Sequence, residues 1–174
     1  MVFKVGDKIV HPSYGAGVVI GIKEKQIGSH ANTYYVIRMP DKRLTIMVPT
    51  DKADTLDLRP VSEKAELAEA WDVLQSEPAT LSNEYEKRQA LIREKISSGD
   101  ILQIAQAIRD LSAREQEKKL SQGDRTLMDQ AESFMASELA LAKGVELDEA
   151  LRMIREALHD SETKTDAASE TNAE

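Results

Sequence analysis

The hydrophobic periodicity of this chain changes character once, at Arg59-Pro60, and that change limits what it can fold into. Before it, Lys8 to His11, Gly17 to Ile27, Thr33 to Arg38 and Arg43 to Val48 are short runs rich in Val, Ile, Thr and Tyr, which suit a pleated, half-buried surface. His11-Pro12-Ser13-Tyr14-Gly15, Gly28-Ser29-His30-Ala31-Asn32 and the tight Pro40-Asp41-Lys42 read as the turns between them, and Pro49 ends the last strand. Four or five short strands in residues 1–60 cannot build a two-layer sandwich with a core, so the expected solution is a small curled barrel of SH3 or Tudor type.

Beyond Arg59-Pro60 apolar residues recur at helical spacing to about residue 160. Ser62 is expected to cap a first helix with Leu67, Ala70, Trp71 and Leu74 on one stripe, which places Trp71 in the core. Asn83 followed by Glu86 suggests a capping box for a second helix ending at Ser98-Gly99. Asp100 caps a third, Ser121 with Asp124 a fourth, and Gly144 separates that from a fifth carrying Leu147, Leu151, Ile154 and Leu158. The expected architecture is therefore α+β with two domains: a small barrel over residues 1–60 and a compact five-helix bundle over 61–160. Residues 161–174 lack an apolar period and read as a disordered tail.

Composition excludes several function classes. With 41% hydrophobic and 31% charged residues the chain has a globular composition, and it contains no apolar run long enough for a membrane helix. Met1-Val2-Phe3-Lys4 has neither the basic start nor the apolar centre of a signal peptide, so a cytoplasmic protein is expected. The absence of cysteine removes disulfides, thiolate metal sites and thiol nucleophiles. The net charge of −8 argues at first sight against a nucleic-acid binder, but it is unevenly distributed. Residues 1–60 and the window 87–125 each carry more basic than acidic side chains, so a net-acidic chain can still present a basic face over the roughly 8 Å reach of a charge at cellular ionic strength.

No catalytic constellation emerges. Gly15-Ala16-Gly17 lacks the following helix and the Lys-Ser/Thr ending of a phosphate loop and reads as a tight turn. His11 and His30 fall in or beside turns and His159 near a helix end, too scattered for a metal site, and the carboxylates fall on solvent faces of helices. No catalytic residue, metal, cofactor or small-molecule substrate is expected.

Two features suit binding. A small sheet leaves an edge strand, which can add a partner's strand or simply be protected from aggregation by the nearby Lys25, Arg38, Lys42 and Arg43. In the helical half, Tyr85, Lys87 and Arg88 open the second helix, and Arg114, Lys118 and Lys119 close the third. These suit phosphate contacts with base stacking, or else are ordinary solvated faces.

The opening Phe3-Lys4-Val5-Gly6-Asp7-Lys8-Ile9-Val10-His11-Pro12-Ser13-Tyr14-Gly15-Ala16-Gly17-Val18-Val19 resembles the start of the CarD/CdnL/TRCF family. Leu44-Thr45-Ile46-Met47-Val48-Pro49 is similar to that family's "L-VP" strand, and Lys95-Ile96-Ser97-Ser98-Gly99-Asp100, Ile108-Arg109-Asp110-Leu111, Leu120-Ser121 and Glu138-Leu139-Ala140 are similar to its short, stand-alone members. The resemblance covers about residues 1–158. It implies a bacterial transcription regulator whose Tudor-like barrel docks on the RNA polymerase β subunit; Lys25 matches a basic position of that interface, and Arg38, Arg43 and Met47 are the other expected contacts. Its helical domain would hold promoter DNA at the upstream fork of the bubble, through Tyr85, Lys87, Arg88, Arg114, Lys118 and Lys119, and so stabilise the open complex. It also implies a monomer without a cofactor, associated with the nucleoid through polymerase. The chain departs from the pattern twice: Tyr85 stands where relatives place a tryptophan wedge, and Met47 where some carry arginine. An interaction module that binds a protein partner without touching promoter DNA is the alternative.

Overall fold

The computed structural model describes residues 1–27 and 30–170, with side chains described except at 27, 30 and 161–170. Its elements are β1 (Lys8–His11), β2 (Gly15–Ile27), β3 (His30–Met39), β4 (Leu44–Pro49), a 3-10 turn over Thr50–Lys52, β5 (Arg59–Pro60), α1 (Lys64–Gln75), α2 (Tyr85–Ser97), α3 (Ile101–Glu117), α4 (Gln122–Lys143) and α5 (Leu147–Glu170). The α+β class and the five helices agree with the sequence reading.

The strands form one antiparallel sheet in the order β4-β3-β2-β1-β5. It is open, with β4 and β5 as edges; the sequence suggests a small curled barrel that leaves an edge strand. The boundary residues Arg59 and Pro60 themselves make the fifth strand, pairing with Val10 and Ile9. Two residues, one of them a proline without an N–H, cannot continue the ladder to β4.

Alternation along β1 divides the interior. Ile9 joins Phe3, Val19, Tyr35, Ile37, Met39 and Val48 on one side of the sheet, whereas its neighbour Val10 joins the helical core of Leu74, Ile92, Ile104, Ile108, Met135, Leu139 and Ile154. Successive side chains of a strand point to opposite faces, so this one strand serves both clusters. The β1–β2 turn rests on α4. Gly15, at φ 85°, lets the backbone approach so closely that a Cβ there would lie 2.9 Å from Ser137 Oγ, and that hydroxyl accepts from the Ala16 N–H at 3.1 Å.

A buried carboxylate fixes the junction. Glu138 of α4 accepts from Arg59 Nη1 at 2.7 Å and Nη2 at 2.8 Å and from the Ser62 N–H at 2.7 Å. Arg59 also donates to the Gly99 carbonyl in the α2–α3 turn. Ser62 is therefore not the expected cap: α1 begins at Lys64 after Glu63, with no side-chain cap. The capping box at Asn83 and Glu86 is likewise absent, since α2 starts after Glu84 and Asn83 Oδ1 accepts instead from Arg114. Asp100 and Ser121 cap α3 and α4 as expected, accepting from the N–H of Leu102 and Asp124, and Gly144 takes the left-handed φ of 69° at the end of α4. Trp71 is half-buried against the helical core. The residues read as a tail begin as a continuation of α5 to Glu170, which puts His159 within that helix, and 171–174 lie outside the described residues.

The β1–β2 and β3–β4 turns meet on one side of the sheet. The His11 and Tyr14 rings lie 4.9 Å apart, and Lys42 stands 5.7 Å from the Tyr14 centroid. Burial, and then the Lys42 charge, hold His11 below the ordinary imidazole pKa of 6.5. The unfolded chain thus binds more protons here than the folded one, so His11 contributes stability that is lost as pH falls through 6.5. Burial pushes the neighbouring Asp41 the other way, above the usual carboxylate value of 3.8, so its effect has the opposite sign at lower pH. Urea unfolding at about pH 7.5 and 5.5 is expected to show lower stability at the lower pH, and that difference should shrink in His11→Asn.

Candidate functional site

Three of the residues singled out in the first half, Lys25, Arg38 and Met47, fall on one sheet face. The pairings Lys25↔Asn32 and Val36↔Met47, with Asn32, Val36 and Arg38 two or four residues apart on β3, place Lys25, Arg38 and Met47 on the same side, opposite Tyr35 and Ile37. All three are exposed, and Met47 keeps 41% of its surface in solvent. Ile20 is also exposed, at the β-bulge between Val19 and Gly21. Arg43 sits at the β3–β4 turn with φ 50°, its N–H donating to the Pro40 carbonyl. Among the described residues β4 pairs only with β3, so its other side is an unpaired edge. This face combines two cations, an exposed thioether and free backbone groups, a mixture suited to a protein partner.

The residues singled out in the second half converge where α2 starts, α3 ends and α4 starts. Tyr85 opens α2 with 51% of its surface exposed. Lys87 is exposed and bridges Glu84 at 2.9 Å, a pairing worth little because both partners are in water. Arg114, in the last turn of α3, reaches Asn83 Oδ1 at 3.4 Å and so links that helix end to the α2 approach. Lys118 ends α3, and Lys119 follows it; both are exposed. The adjacent first turn of α4 adds backbone N–H groups at the positive end of a 22-residue helix.

Arg88 departs from expectation. It is only 4% exposed, and its guanidinium is fully engaged: Nη2 reaches Asp124 Oδ2 at 2.8 Å, Nε reaches both Asp124 oxygens at 3.1 Å, and Nη1 donates to the carbonyls of Ser82 and Asn83. It is an interior ion-pair residue rather than a phosphate contact. The carboxylate of Asp124 also accepts from Ser121 Oγ and Gln89 Nε2; burial raises its pKa, but the bonds from Arg88 first, then Ser121 and Gln89, hold it below the usual carboxylate value. Gln89, Gly123 and Asp124 thus belong to this corner although the sequence marks only Asp124, and only as a cap partner. The signal was present in the spacing: Ile96 and Ile92 lie on the buried stripe of α2, and one further step of four residues lands on Arg88.

Among the described residues no group of three or more His, Asp or Glu is placed to hold a metal ion, and no helix is long and apolar enough to cross a membrane. A groove of about 590 Å³ lies between the sheet and the helices and is lined by Val10, Pro12, Leu58, Arg59, Glu66 and Asp100, with Arg59 already committed to Glu138.

An open sheet with a mixed outer face is joined to a helical unit with a half-exposed aromatic at its cationic helix ends. The family comparisons give the class. Residues 3–62 match the CarD-like/TRCF RID domain and residues 69–155 match CarD, C-terminal domain. The chain is 34% identical over 143 residues to "Putative transcription factor YdeB" of Bacillus subtilis (strain 168), covering 82% of this chain and 94% of that protein. The chain belongs to the CarD family and is a transcription regulator.

Proposed function

We propose that this protein binds the β subunit of bacterial RNA polymerase through the outer sheet face and the β4 edge, and holds promoter DNA at the upstream fork of the bubble through the Tyr85 corner. Residues 1–60 act as a Tudor-like polymerase-interacting unit, 61–160 as the DNA-binding unit, and 161–174 lie outside both roles. The protein works as a monomer in the cytoplasm, reaching the nucleoid through polymerase.

The observation that carries this reading is the exposure of Tyr85 on the first turn of α2, with Lys87 on the same turn and Arg114, Lys118 and Lys119 at the end of α3, which Arg114 links to Asn83. Half of an aromatic side chain left in water is available for stacking on an unpaired base, and surrounding cations suit the phosphates that flank it. The CarD-like/TRCF RID match over 3–62 supports assigning polymerase to the other surface. Such a ligand favours the melted promoter only by its differential affinity for open over closed DNA, so no nucleotide hydrolysis is needed.

Tyr85→Ala is expected to shorten the lifetime of open complexes about tenfold, from the roughly 1–3 kcal/mol of one base–aromatic stack, while polymerase β-subunit binding stays within error. Equal loss of both would assign Tyr85 to the fold. Replacing Lys119 with alanine is expected to lower DNA affinity and reduce the log–log salt slope by about one. The overall charge of −8 favours the second reading, a module that binds protein only, and that reading requires both the affinity and the slope to stay unchanged.

A further inference from the structure

Asp124 gathers groups from three places onto one carboxylate. It receives Arg88 and Gln89 from α2 and Ser121 from its own helix cap, and through Arg88 Nη1 it also fixes the carbonyls of Ser82 and Asn83 before α2. Tyr85 stands on this network. The Arg88 guanidinium carbon lies 5.8 Å from the Tyr85 ring centroid, leaving the rest of the half-exposed ring to solvent. The Tyr85 hydroxyl lies against the backbone of α4 at Gly123, where an added Cβ would fall 2.6 Å from it and 2.2 Å from Gln89 Nε2. The ring is therefore braced at two points, by a buried cation beneath it and by a helix backbone at its hydroxyl.

For stability alone a buried ion pair is a poor choice, because well-packed apolar side chains of similar volume do as well or better. What the pair adds is direction: a planar guanidinium fixed by five hydrogen bonds has a single orientation, and so does whatever packs on it. We propose that Arg88 and Asp124, with Gly123, are positioning residues that hold the Tyr85 ring in its DNA-facing stance before DNA arrives. Pre-ordering removes the rotamer entropy that a free tyrosine would lose on stacking. The proposal rests on the reading of Tyr85 as the promoter contact. It assigns Arg88 to DNA binding at one remove, without a phosphate contact.

The test is a double-mutant cycle on open-complex lifetime with the full chain and intact polymerase, using Tyr85→Ala, Arg88→Lys and the two combined. Arg88→Lys keeps the charge opposite Asp124 but loses the planar fork. It is expected to shorten the lifetime about three- to tenfold beside Tyr85, the range of a partly desolvated cation–π contact, and less than about twofold in the Tyr85→Ala background. The salt slope of DNA binding stays unchanged. Gly123→Ala, which displaces the hydroxyl and the Gln89 amide but leaves the Arg88 guanidinium in place opposite Asp124, should give the same pattern, so the proposal does not depend on one variant folding. In 19F spectra of fluorotyrosine-labelled protein, the Tyr85 line should shift in both variants while the lines of Tyr34 and Tyr35 stay in place.

Equal losses in both backgrounds, or a reduced salt slope in Arg88→Lys, would overturn the positioning role and leave Tyr85 as the promoter contact. No effect of Tyr85→Ala on lifetime would overturn the promoter reading itself, and the positioning role with it.

Discussion

Glu138→Ala is expected to lower the unfolding free energy by about 3 kcal/mol, the lower end of the cost of breaking a buried ion pair. The side chain of Glu138 is 0% exposed and that of Arg59 29%, so the arginine regains some water when its partner is lost, which keeps the figure from rising higher. The Ser62 N–H has no such escape, because Ser62 is buried and its acceptor is removed. Glu138→Gln retains an acceptor for Ser62 and should be less than half as damaging. Urea unfolding measures both. A loss below about 1 kcal/mol in Glu138→Ala would mean that the other contacts, among them Val10, Ala16 and the Ala16 N–H bond to Ser137, suffice to hold the sheet to the helices.

Gly17→Ala comes next, at about 2–3 kcal/mol, toward the upper end of the cost of overpacking a close-packed interior. A Cβ on Gly17 would fall 2.5 Å from Met39 Sδ, 2.9 Å from Ile37 Cγ2 and 2.7 Å from the Arg38 carbonyl oxygen. The sulfur can move, but the carbonyl belongs to β3, whose Arg38 pairs with Val18 of β2, so relief requires the strands to shift. Hydrogen exchange should therefore quicken at Val18, Ile37 and Arg38, beside the outer sheet face, and remain slow in α3 and α4. A substitution without measurable effect on stability would contradict the close packing of β2 on β3.

How much of this was legible in the sequence depended on how local the cause was. The strand runs, the helices and the Asp100, Ser121 and Gly144 caps were readable because each depends on neighbours within a few residues. Ser62 and Asn83 carry the same local cap chemistry, but partners far along the chain compete for them. Ser62 N–H goes to Glu138, 76 residues away, and Asn83 Oδ1 to Arg114, 31 residues away. Where the sheet ends was hidden for a related reason: whether β5 can reach β4 depends on a two-residue strand that only tertiary pairing creates.

The interface residues divide in the same way. Lys25, Arg38 and Met47 share a face because of register, which alternation alone nearly supplies, although the bulge between Val19 and Gly21 would have put Val18 out of step. Arg88 was misread because a charged residue is assigned to solvent by default, and nothing local shows that a carboxylate 36 residues on will receive it inside. Only the four-residue step from Ile92 hinted at its burial.

The most direct test of the account is the half-life of polymerase–promoter open complexes on a linear fragment after competitor challenge, with and without the full chain, and with Arg38→Glu combined with Met47→Asp on the outer sheet face. The account requires a longer half-life with the wild-type protein and none of that gain with the double variant. A half-life that is the same with and without the protein would contradict it.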